Sequence, residues 1–432
     1  MCLVFSQLHV CFTEDIIQTY RWCLSFWCMF HRRGYNVGML TTRRWHVPLS
    51  PQGQANHIAN DTLDDAVMAL KQGQVVAFPT ETVYGLGGDA TNDDAIRRIY
   101  AAKGRPSDNP LIIHVGDVKQ VAGLVEQVPL VAKELMRSFW PGPLTLVMKR
   151  KAGVLSSLAL AGDTVGIRIP NHPTALALLK QCGLPIAAPS ANKSGRPSPT
   201  RAEHVLEDLD GVIAGVIDSG ATGIGVESTV VDCTTCDAMA GRGMWKVDVL
   251  RPGGVTRDDI RTVLGPGSVL FRRDCDIEDA CLNAHSTDNN GCGDMVSNPP
   301  SASSIAPRAP GMKYAHYAPK APLYLVRGDV AFMQLQIRQF QTAGKTVGVI
   351  ITEEHESGIT SDVIRVCGRR SDLAAVAANL FHVVRSFDGD GGVVVDVILC
   401  EWFDDHDEGM GEAIMNRLKK AAAGKVIDQS SV

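Results

Sequence analysis

The sequence has neither an excess of positive charge nor a long apolar run. Its 42 Lys and Arg residues are outnumbered by 47 Asp and Glu residues, which gives a net charge of −5. This balance excludes a protein that binds nucleic acid through the charge of its whole surface, although a local basic cleft could still bind phosphates. The apolar patch at residues 22–30 is much shorter than the roughly 20 residues of a membrane-spanning helix. We therefore expect a globular protein in water, with no membrane partner.

Sequence signatures of phosphate loops and metal sites are also missing. The chain has no G-x-x-x-x-G-K-[ST] motif, and its glycine-rich segment at residues 220–225 leads into a predicted strand rather than a helix. The single C-x-x-C, Cys233 to Cys236, lacks the second pair that a zinc ribbon requires. Any nucleotide must therefore be bound by side chains and loop amides, and we predict no metal site formed by protein side chains.

Cysteine is scattered rather than clustered, with twelve residues in a chain of 432. Without a clean signal-peptide cleavage site, this pattern favours a reducing compartment and free thiols. Residues 1–55 form an N-terminal extension, which is either disordered or a targeting segment. Arginines at its end resemble a transit peptide, but Glu14 and Asp15 and the low serine content do not, and Met39 is an alternative start. We expect a cytoplasmic protein, with the mitochondrion as the alternative.

The length of the chain predicts two domains. Strands alternate with helices over residues 56–265, and again over residues 321–430, which predicts two α/β domains, the second one smaller. Residues 266–320 form a linker: an acidic insert without apolar periodicity at 266–307 is followed by a proline-rich, aromatic strap at 307–322, our candidate for a lid. The predicted helices are 63–72, 93–103, 128–139, 173–181, 330–343, 373–387 and 411–423. The predicted strands are 75–79, 111–115, 144–149, 164–169, 186–188, 212–218, 228–232, 247–251, 323–326, 347–351 and 393–399.

The densest group of polar residues lies in the stretch 78–87 and continues through 103–106 and 109–114. A strand brings hydroxyls and a carboxylate into a glycine turn, and two cations and a histidine follow. Buried polar groups need partners, so this density predicts a ligand rich in oxygen.

Several of these polar residues also have a structural interpretation. Lys103 and Arg105 repel each other unless an anion lies between them, but they could simply complement a helix dipole. Arg168 lies in an apolar strand, where it needs a carboxylate or phosphate, and either Glu81 or Glu227 could be its internal partner. Ser190 and Asn192 follow a strand and point the same way, a pattern that is also common in turns.

Taken together, these motifs resemble the YrdC-like domain. The matching segments are 78–87, 103–106, 109–114, 140–144, 165–170, 189–198, 225–230 and 250–253. The strap at 310–319 and the segment 409–418 resemble the linker and the end of the C-terminal domain of the long, two-domain threonylcarbamoyl-AMP synthases. The resemblance covers residues 56–430.

The resemblance implies a YrdC-like twisted mixed sheet with flanking helices, followed by a smaller Rossmann-like α/β domain. It implies a nucleotidyltransferase that condenses L-threonine, bicarbonate and ATP, with Mg²⁺, into threonylcarbamoyl-adenylate and pyrophosphate. A downstream tRNA threonylcarbamoyl transferase would then modify an adenosine of tRNA, and tRNA itself is a further candidate partner. Less favoured alternatives are an RNA-binding module, which should be more basic, and a carbamoyltransferase, which should carry acylphosphatase-like and zinc-finger-like regions.

The family motifs also imply site residues. Lys103 and Arg105 would be catalytic, because fixed cations stabilise the charge that grows during phosphoryl transfer. Arg168 would bind the substrate carboxylate with its planar fork. The full threonine-binding set is Thr82, His114, Arg168, Ala188 and Ser228. The ATP-binding set is Arg105, Asn109, Thr164, Ser190, Asn192, Ser198, Arg251 and Tyr317.

Overall fold

A computed structural model of the chain describes residues 41–48, 60–160, 162–234, 238–239, 244–272, 317–388, 394–403 and 409–431. Residues 41–432 form one compact unit. Among the described residues, no helix is long and apolar enough to cross a membrane.

The N-terminal domain is built on one large mixed sheet. Its strands are β1 (Arg43–His46), β2 (Val76–Phe78), β3 (Gly85–Asp89), β4 (Ile112–His114), β5 (Leu144–Lys149), β6 (Thr164–Arg168), β7 (Ile186–Ala187), β8 (Gly215–Asp218), β9 (Thr229–Asp232), β10 (Ala238–Met239), β11 (Met244–Arg251) and β12 (Val269–Arg272). Within the described residues they lie in the order β1-β8-β2-β3-β7-β4-β6-β5-β9-β11-β10, and β12 pairs with β11. The sheet contains parallel pairs, such as β4 with β6, and antiparallel pairs, such as β5 with β6, so it is mixed, as predicted.

Helices flank this sheet and bury an apolar core against it. They are α1 (Asn60–Lys71), α2 (Asp93–Lys103), α3 (Val121–Leu124), α4 (Leu130–Phe139), α5 (Pro173–Cys182), α6 (Ala202–Leu209) and α7 (Arg257–Leu264). Helix α2 has the predicted bounds because both ends are capped. The Asn92 side chain accepts from the backbone N–H groups of Asp94 and Ala95, and Gly104 ends the helix in a left-handed conformation. These caps fix Lys103 at the last turn, beside the sheet.

The C-terminal domain is a five-stranded parallel sheet with helices, which confirms the predicted second α/β domain. Its strands are β13 (Leu323–Arg327), β14 (Val347–Ile351), β15 (Val363–Val366), β16 (Val397–Glu401) and β17 (Val426–Asp428), in the order β15-β14-β16-β13-β17. Its helices are α8 (Val330–Thr342), α9 (Glu353–Glu356), α10 (Leu373–Arg385) and α11 (Met410–Ala421).

The two domains share a buried contact surface. Val226 of the N-terminal domain lies in the apolar core formed by α10, α11 and the second sheet. Gly225 has φ +77°, and a Cβ atom there would lie only 2.3 Å from the backbone oxygen of Ala377 in α10. Only glycine combines this backbone conformation with so close an approach.

Two segments that the sequence analysis assigns to the extension and to the linker belong to the large sheet. Residues 43–46 form β1, which pairs in parallel with β8, and residues 269–272 form β12, which pairs with β11. The sheet therefore extends beyond the predicted boundaries at residues 56 and 265. Most of the acidic insert and of the strap, residues 273–316, lies outside the described residues.

Candidate active site

The polar stretch that the sequence singles out forms the turn of a hairpin. Strands β2 and β3 pair antiparallel, with Val76 opposite Gly87, and residues 79–84 connect them. The Thr80 hydroxyl closes this turn, because it donates to the backbone oxygen of Val83 at 2.6 Å and accepts from the N–H of Thr82 at 3.2 Å. The Thr82 hydroxyl, 2.8 Å from that of Thr80, is thereby fixed at the wall of a pocket.

The pocket, with about 700 Å³ of space between the protein atoms and at its opening to solvent, collects residues from distant parts of the chain. Its lining residues are Thr80, Thr82, Val83, Gly85, Lys103, Arg105, Ile112, His114, Arg168, Ala188, Pro189, Ser190, Asn192, Ser194, Glu227, Ser228, Arg251 and Tyr317.

Arg168 and His114 enter the pocket side by side. They are direct partners on the parallel strands β6 and β4, so both strands end at the same edge of the sheet. Arg168 Nη1 donates to the Thr82 hydroxyl at 3.0 Å, and its Nε donates to the backbone oxygen of Gly142 at 3.2 Å. Its Nη2 lies 2.7 Å from Glu81 Oε1, so Glu81 is the internal partner that the sequence left open.

His114 is neutral in this environment. Burial, together with the positive charge of Arg168, lowers its pKa to about 3. Its Nδ1 lies 3.3 Å from the backbone oxygen of Ile112. A neutral imidazole adds no second positive charge beside Arg168, so the guanidinium is the cation that an incoming carboxylate meets here.

Lys103 and Arg105 form a cationic wall opposite this edge. The buried Lys103 amine donates to the backbone oxygens of Ser190 and Asn192, and burial, then the charge of Arg105, lowers its pKa well below the usual value. Arg105 donates to the backbone oxygens of Asn109 and Pro110, at 3.2 and 3.0 Å, and burial lowers its pKa to about 10. An anion between the two side chains would relieve both penalties.

The loop that carries Ser190 and Asn192 is held by its own hydrogen bonds. Ser190 Oγ donates to Asn192 Oδ1 at 2.5 Å, and Asn192 Nδ2 donates to the backbone oxygen of Arg196 at 2.9 Å. The S-x-N pattern is therefore a closed turn, and Lys103 anchors it to α2.

Glu227, Arg251 and Tyr317 complete the pocket on a third side. Arg251 donates to the backbone oxygen of Ser228 through Nε at 3.1 Å and through Nη2 at 2.8 Å. Burial alone would raise the pKa of Glu227, but the charges of Arg417 and Arg251 outweigh it and lower this pKa to about 2. Tyr317 is buried with φ +69°, a conformation that is rare outside glycine, and its ring stacks on Phe381 of α10 at 5.1 Å.

The structure brings most of the predicted site residues to the pocket, and three lie behind its wall. Asn109 is buried, and its backbone oxygen accepts from Arg105. Ser198 donates to Glu227 Oε1 at 2.5 Å. Thr164 lines a smaller neighbouring cavity on the far side of Ile112.

The sequence analysis misses three residues that shape the site. Thr80 could have been inferred from its place in the hairpin turn. Glu227 was considered only as a partner of Arg168, whereas in the structure it contacts Arg417 and Ser198. Arg417 lies in the segment 409–418 that resembles the family's C-terminal domain, but nothing in that segment alone indicates a contact with Glu227.

Comparison with known proteins agrees with this architecture. A family model described as "Telomere recombination" matches residues 68–252, and one described as the C-terminal domain of threonylcarbamoyl-AMP synthase matches residues 255–423. The threonylcarbamoyl-AMP synthase of Bacillus subtilis is 46% identical over 389 residues, which are 90% of this chain and 100% of the relative. The chain belongs to the threonylcarbamoyl-AMP synthase family.

Two further comparisons, one of sequence and one of structure, both involve Pyrococcus abyssi. The threonylcarbamoyl-AMP synthase of that organism is 40% identical over 83% of this chain and 93% of its own length. The crystal structure of P. abyssi Sua5 complexed with L-threonine superposes with a TM-score of 0.72 at 38% identity, and covers 90% of this chain and 99% of that one. The family's two-domain architecture therefore extends over nearly all of this chain.

Proposed function

We propose that this chain is a nucleotidyltransferase that makes threonylcarbamoyl-adenylate from L-threonine, bicarbonate and ATP. Membership of the threonylcarbamoyl-AMP synthase family supports this activity. The observation that carries the proposal is one pocket that combines a carboxylate-binding arginine, Arg168, with a separate group of cations, Lys103, Arg105 and Arg251.

Threonine would bind at the edge where β4 and β6 end. Arg168 would bind the substrate carboxylate with its planar fork, and this carboxylate would displace Glu81 from Nη2, while Nη1 lies 3.0 Å from the Thr82 hydroxyl. His114 and Ala188 would form the floor beneath the substrate, and the Ser228 hydroxyl, 2.8 Å from that of Thr145, would bound it on the β9 side.

ATP would bind along the opposite wall. Arg105, Arg251 and the turn with Ser190 and Asn192 offer cations, a hydroxyl and an amide to the phosphates and ribose, and Tyr317 would cover the nucleotide. Asn109, Thr164 and Ser198 would support these groups from behind, since they lie behind the lining residues.

The reaction follows from this arrangement. The threonine amine attacks bicarbonate to give a carbamate and water; a carbamate oxygen then attacks the α-phosphate, and the bond to pyrophosphate breaks. Negative charge grows on the phosphoryl oxygens and on the leaving group, where Lys103 and Arg105 would stabilise it. The buried pocket wall would protect the carbamate and the mixed anhydride from water.

We propose that Mg²⁺ enters with ATP rather than as a resident ion. Among the described residues there is no group of three His, Cys, Asp or Glu side chains that could hold a metal. Glu227, the carboxylate that lines the pocket, is already bound by Arg417 and Ser198. The phosphates of ATP would therefore supply the oxygen ligands that Mg²⁺ prefers.

The product would pass to a tRNA threonylcarbamoyl transferase, which modifies an adenosine beside the anticodon. We also propose a cytoplasmic location, with the mitochondrion as the alternative. The free thiols of the four described cysteines support a reducing compartment.

Mass spectrometry tests the activity directly. The full chain incubated with ATP, Mg²⁺, threonine and bicarbonate should yield threonylcarbamoyl-adenylate and pyrophosphate, and a reaction without threonine should yield neither. Pyrophosphate that forms equally without threonine would indicate a generic ATPase and would refute the proposal.

Substitution of the cationic wall tests the catalytic assignment. Lys103→Ala and Arg105→Ala should each lower threonine-dependent pyrophosphate release by roughly 100-fold or more, since a single charge-stabilising group contributes about that factor. Circular dichroism provides the control for folding. Retained turnover in a folded variant would show that the cation only supports the scaffold.

A further inference from the structure

The pocket of the N-terminal domain includes a carboxylate that is held from the other domain. Glu227 lines the pocket, and Arg417 of α11 donates to its Oε2 from Nε at 2.9 Å. Arg417 is 1% exposed, so this ion pair is closed to solvent. The other two nitrogens of the Arg417 guanidinium also donate hydrogen bonds. Nη1 donates to the backbone oxygen of Pro252 at 2.6 Å, and Nη2 donates to the backbone oxygen of Glu227 at 3.4 Å.

This geometry fixes both the charge and the direction of the Glu227 carboxylate. Oε2 faces Arg417, which leaves Oε1 to accept from the Ser198 hydroxyl. Glu227 and Tyr317 line the same pocket, where burial and then the charge of Glu227 and a hydrogen bond to it raise the pKa of Tyr317. Glu227 and Tyr317, which line the pocket, thus depend on Arg417, which does not itself line it.

The same domain holds the ring of Tyr317 from a second direction. Phe381 of α10 stacks on it, and the two rings share a small apolar cluster with Val83 and Ala421. Tyr317 keeps its left-handed backbone only because the surroundings determine it. Arg417 and Phe381 therefore act on one target from two helices of the C-terminal domain.

We propose that Arg417 is a positioning residue for the nucleotide half of the active site, acting through Glu227 on Tyr317. This inference rests on the proposed function, and it assigns to the C-terminal domain one wall of the catalytic pocket. It predicts that loss of Arg417 impairs the binding of ATP more than the binding of threonine. Of the proposed threonine-binding residues, only Ser228 adjoins Glu227, whereas His114 and Arg168 lie on β4 and β6 and Thr82 lies in the turn between β2 and β3.

Steady-state pyrophosphate release measures this difference. In Arg417→Gln, the KM for ATP should rise by roughly tenfold or more while the KM for threonine changes less than about threefold, since an ionic hydrogen bond is worth about one to two factors of ten. Arg417→Lys should recover part of the loss, because it keeps the charge without the fork. Equal increases in both KM values, or none, would overturn the inference.

The matched control is Glu412→Gln. Glu412 lies on the same helix and crosses the same interface, with its Oε1 3.8 Å from Nη1 of Arg257. Its KM for ATP should equal that of the unchanged protein. A rise like that of Arg417→Gln would attribute the effect to a loosened interface and overturn the proposal.

The double variant Arg417→Met with Glu227→Gln tests whether Arg417 positions Glu227 or only neutralises its buried charge. The same variant replaces Arg417→Gln in the experiment if Arg417→Gln does not fold. Removing both charges should restore the melting temperature but leave the KM for ATP high. Recovery of both the melting temperature and the KM for ATP would show that Arg417 only neutralises Glu227, and would overturn the proposal. If the protein without any substitution shows no threonine-dependent turnover, that result would instead refute the proposed function.

Discussion

At the scale of single residues, the site is a set of buried charges, each placed against a specific partner. Lys103 contacts backbone carbonyls, Arg168 contacts Glu81, and Glu227 contacts Arg417. Buried ions are expensive unless they are paired and hydrogen-bonded, so these partners decide which charges remain available to a ligand. A carboxylate ligand would therefore reach Arg168 by displacing Glu81.

Arg168→Lys should therefore impair threonine binding selectively. Lysine keeps the charge but cannot form two parallel hydrogen bonds to a carboxylate. We therefore expect the KM for threonine to rise roughly 10-fold or more, while the KM for ATP changes less than about threefold. Pyrophosphate release at varied threonine and varied ATP measures both values. Arg97→Lys, on the exposed face of α2, is the control, and a parallel loss of both affinities would contradict a role in threonine binding.

At the scale of elements, the sequence predicted many of the regular helices and strands, but it missed the helices α6 and α7, the strands β15 and β17, and the glycine-rich strand β3. Helix α2 and strands β5 and β14 have the predicted bounds, because caps and apolar runs mark their ends locally. Strand β3 was missed, since its sequence Gly-Leu-Gly-Gly-Asp has low strand propensity and is held by its neighbours β2 and β7.

The candidate site shows the same division between local and non-local information. Family motifs pointed to the lining residues, because each motif lies on a continuous segment. Arg168 and its partner Glu81 are 87 positions apart in the sequence. Glu227 and its partner Arg417 are 190 positions apart. Such pairs depend on how the sheet and the two domains come together, which no local pattern determines.

The segment before β9 offers a test at this scale. Gly225→Ala should lower the free energy of unfolding by roughly 2–5 kcal/mol, since a left-handed alanine is strained and its Cβ would clash with α10. Urea denaturation measures the loss. Gly223→Ala, where no heavy atom lies within 4 Å of the added Cβ, should stay within about 0.5 kcal/mol of the unchanged protein, and similar losses at both positions would contradict the argument.

At the scale of the whole molecule, the contact between the domains includes two neutral histidines. The backbone N–H of Thr200 donates to His204 Nδ1 at 3.2 Å, so the proton of His204 is on Nε2, which faces His382 Nδ1 at 3.2 Å. Burial, followed by the charges of Arg385 and other cations, lowers the pKa of His204 to about 3. Protonation would place charge inside the domain contact.

The stability of the protein should therefore fall in acid. The folded-state pKa of His204, about 3, lies below the ordinary value of about 6.5, so between these two pH values the unfolded chain takes up a proton that the folded chain does not. This linkage lowers the free energy of unfolding by up to about 1.4 kcal/mol per pH unit as the pH decreases. His204→Gln should reduce the slope of the free energy of unfolding against pH by that amount between pH 6 and 4.5. Urea denaturation at several pH values measures this slope, and an unchanged slope would contradict the assignment.

The proposed threonine site predicts selectivity for a zwitterion, because a carboxylate that enters it meets the ion pair of Arg168 and Glu81. A free amino acid carries both charges, so its carboxylate can take the guanidinium while its ammonium group faces the displaced Glu81, and the buried site gains no net charge. An amino-acid ester or a hydroxy acid would leave one of the two buried ions without a counter-charge. We expect both to compete with threonine far more weakly than a close amino-acid analogue does, and equal inhibition constants would contradict this exchange of partners.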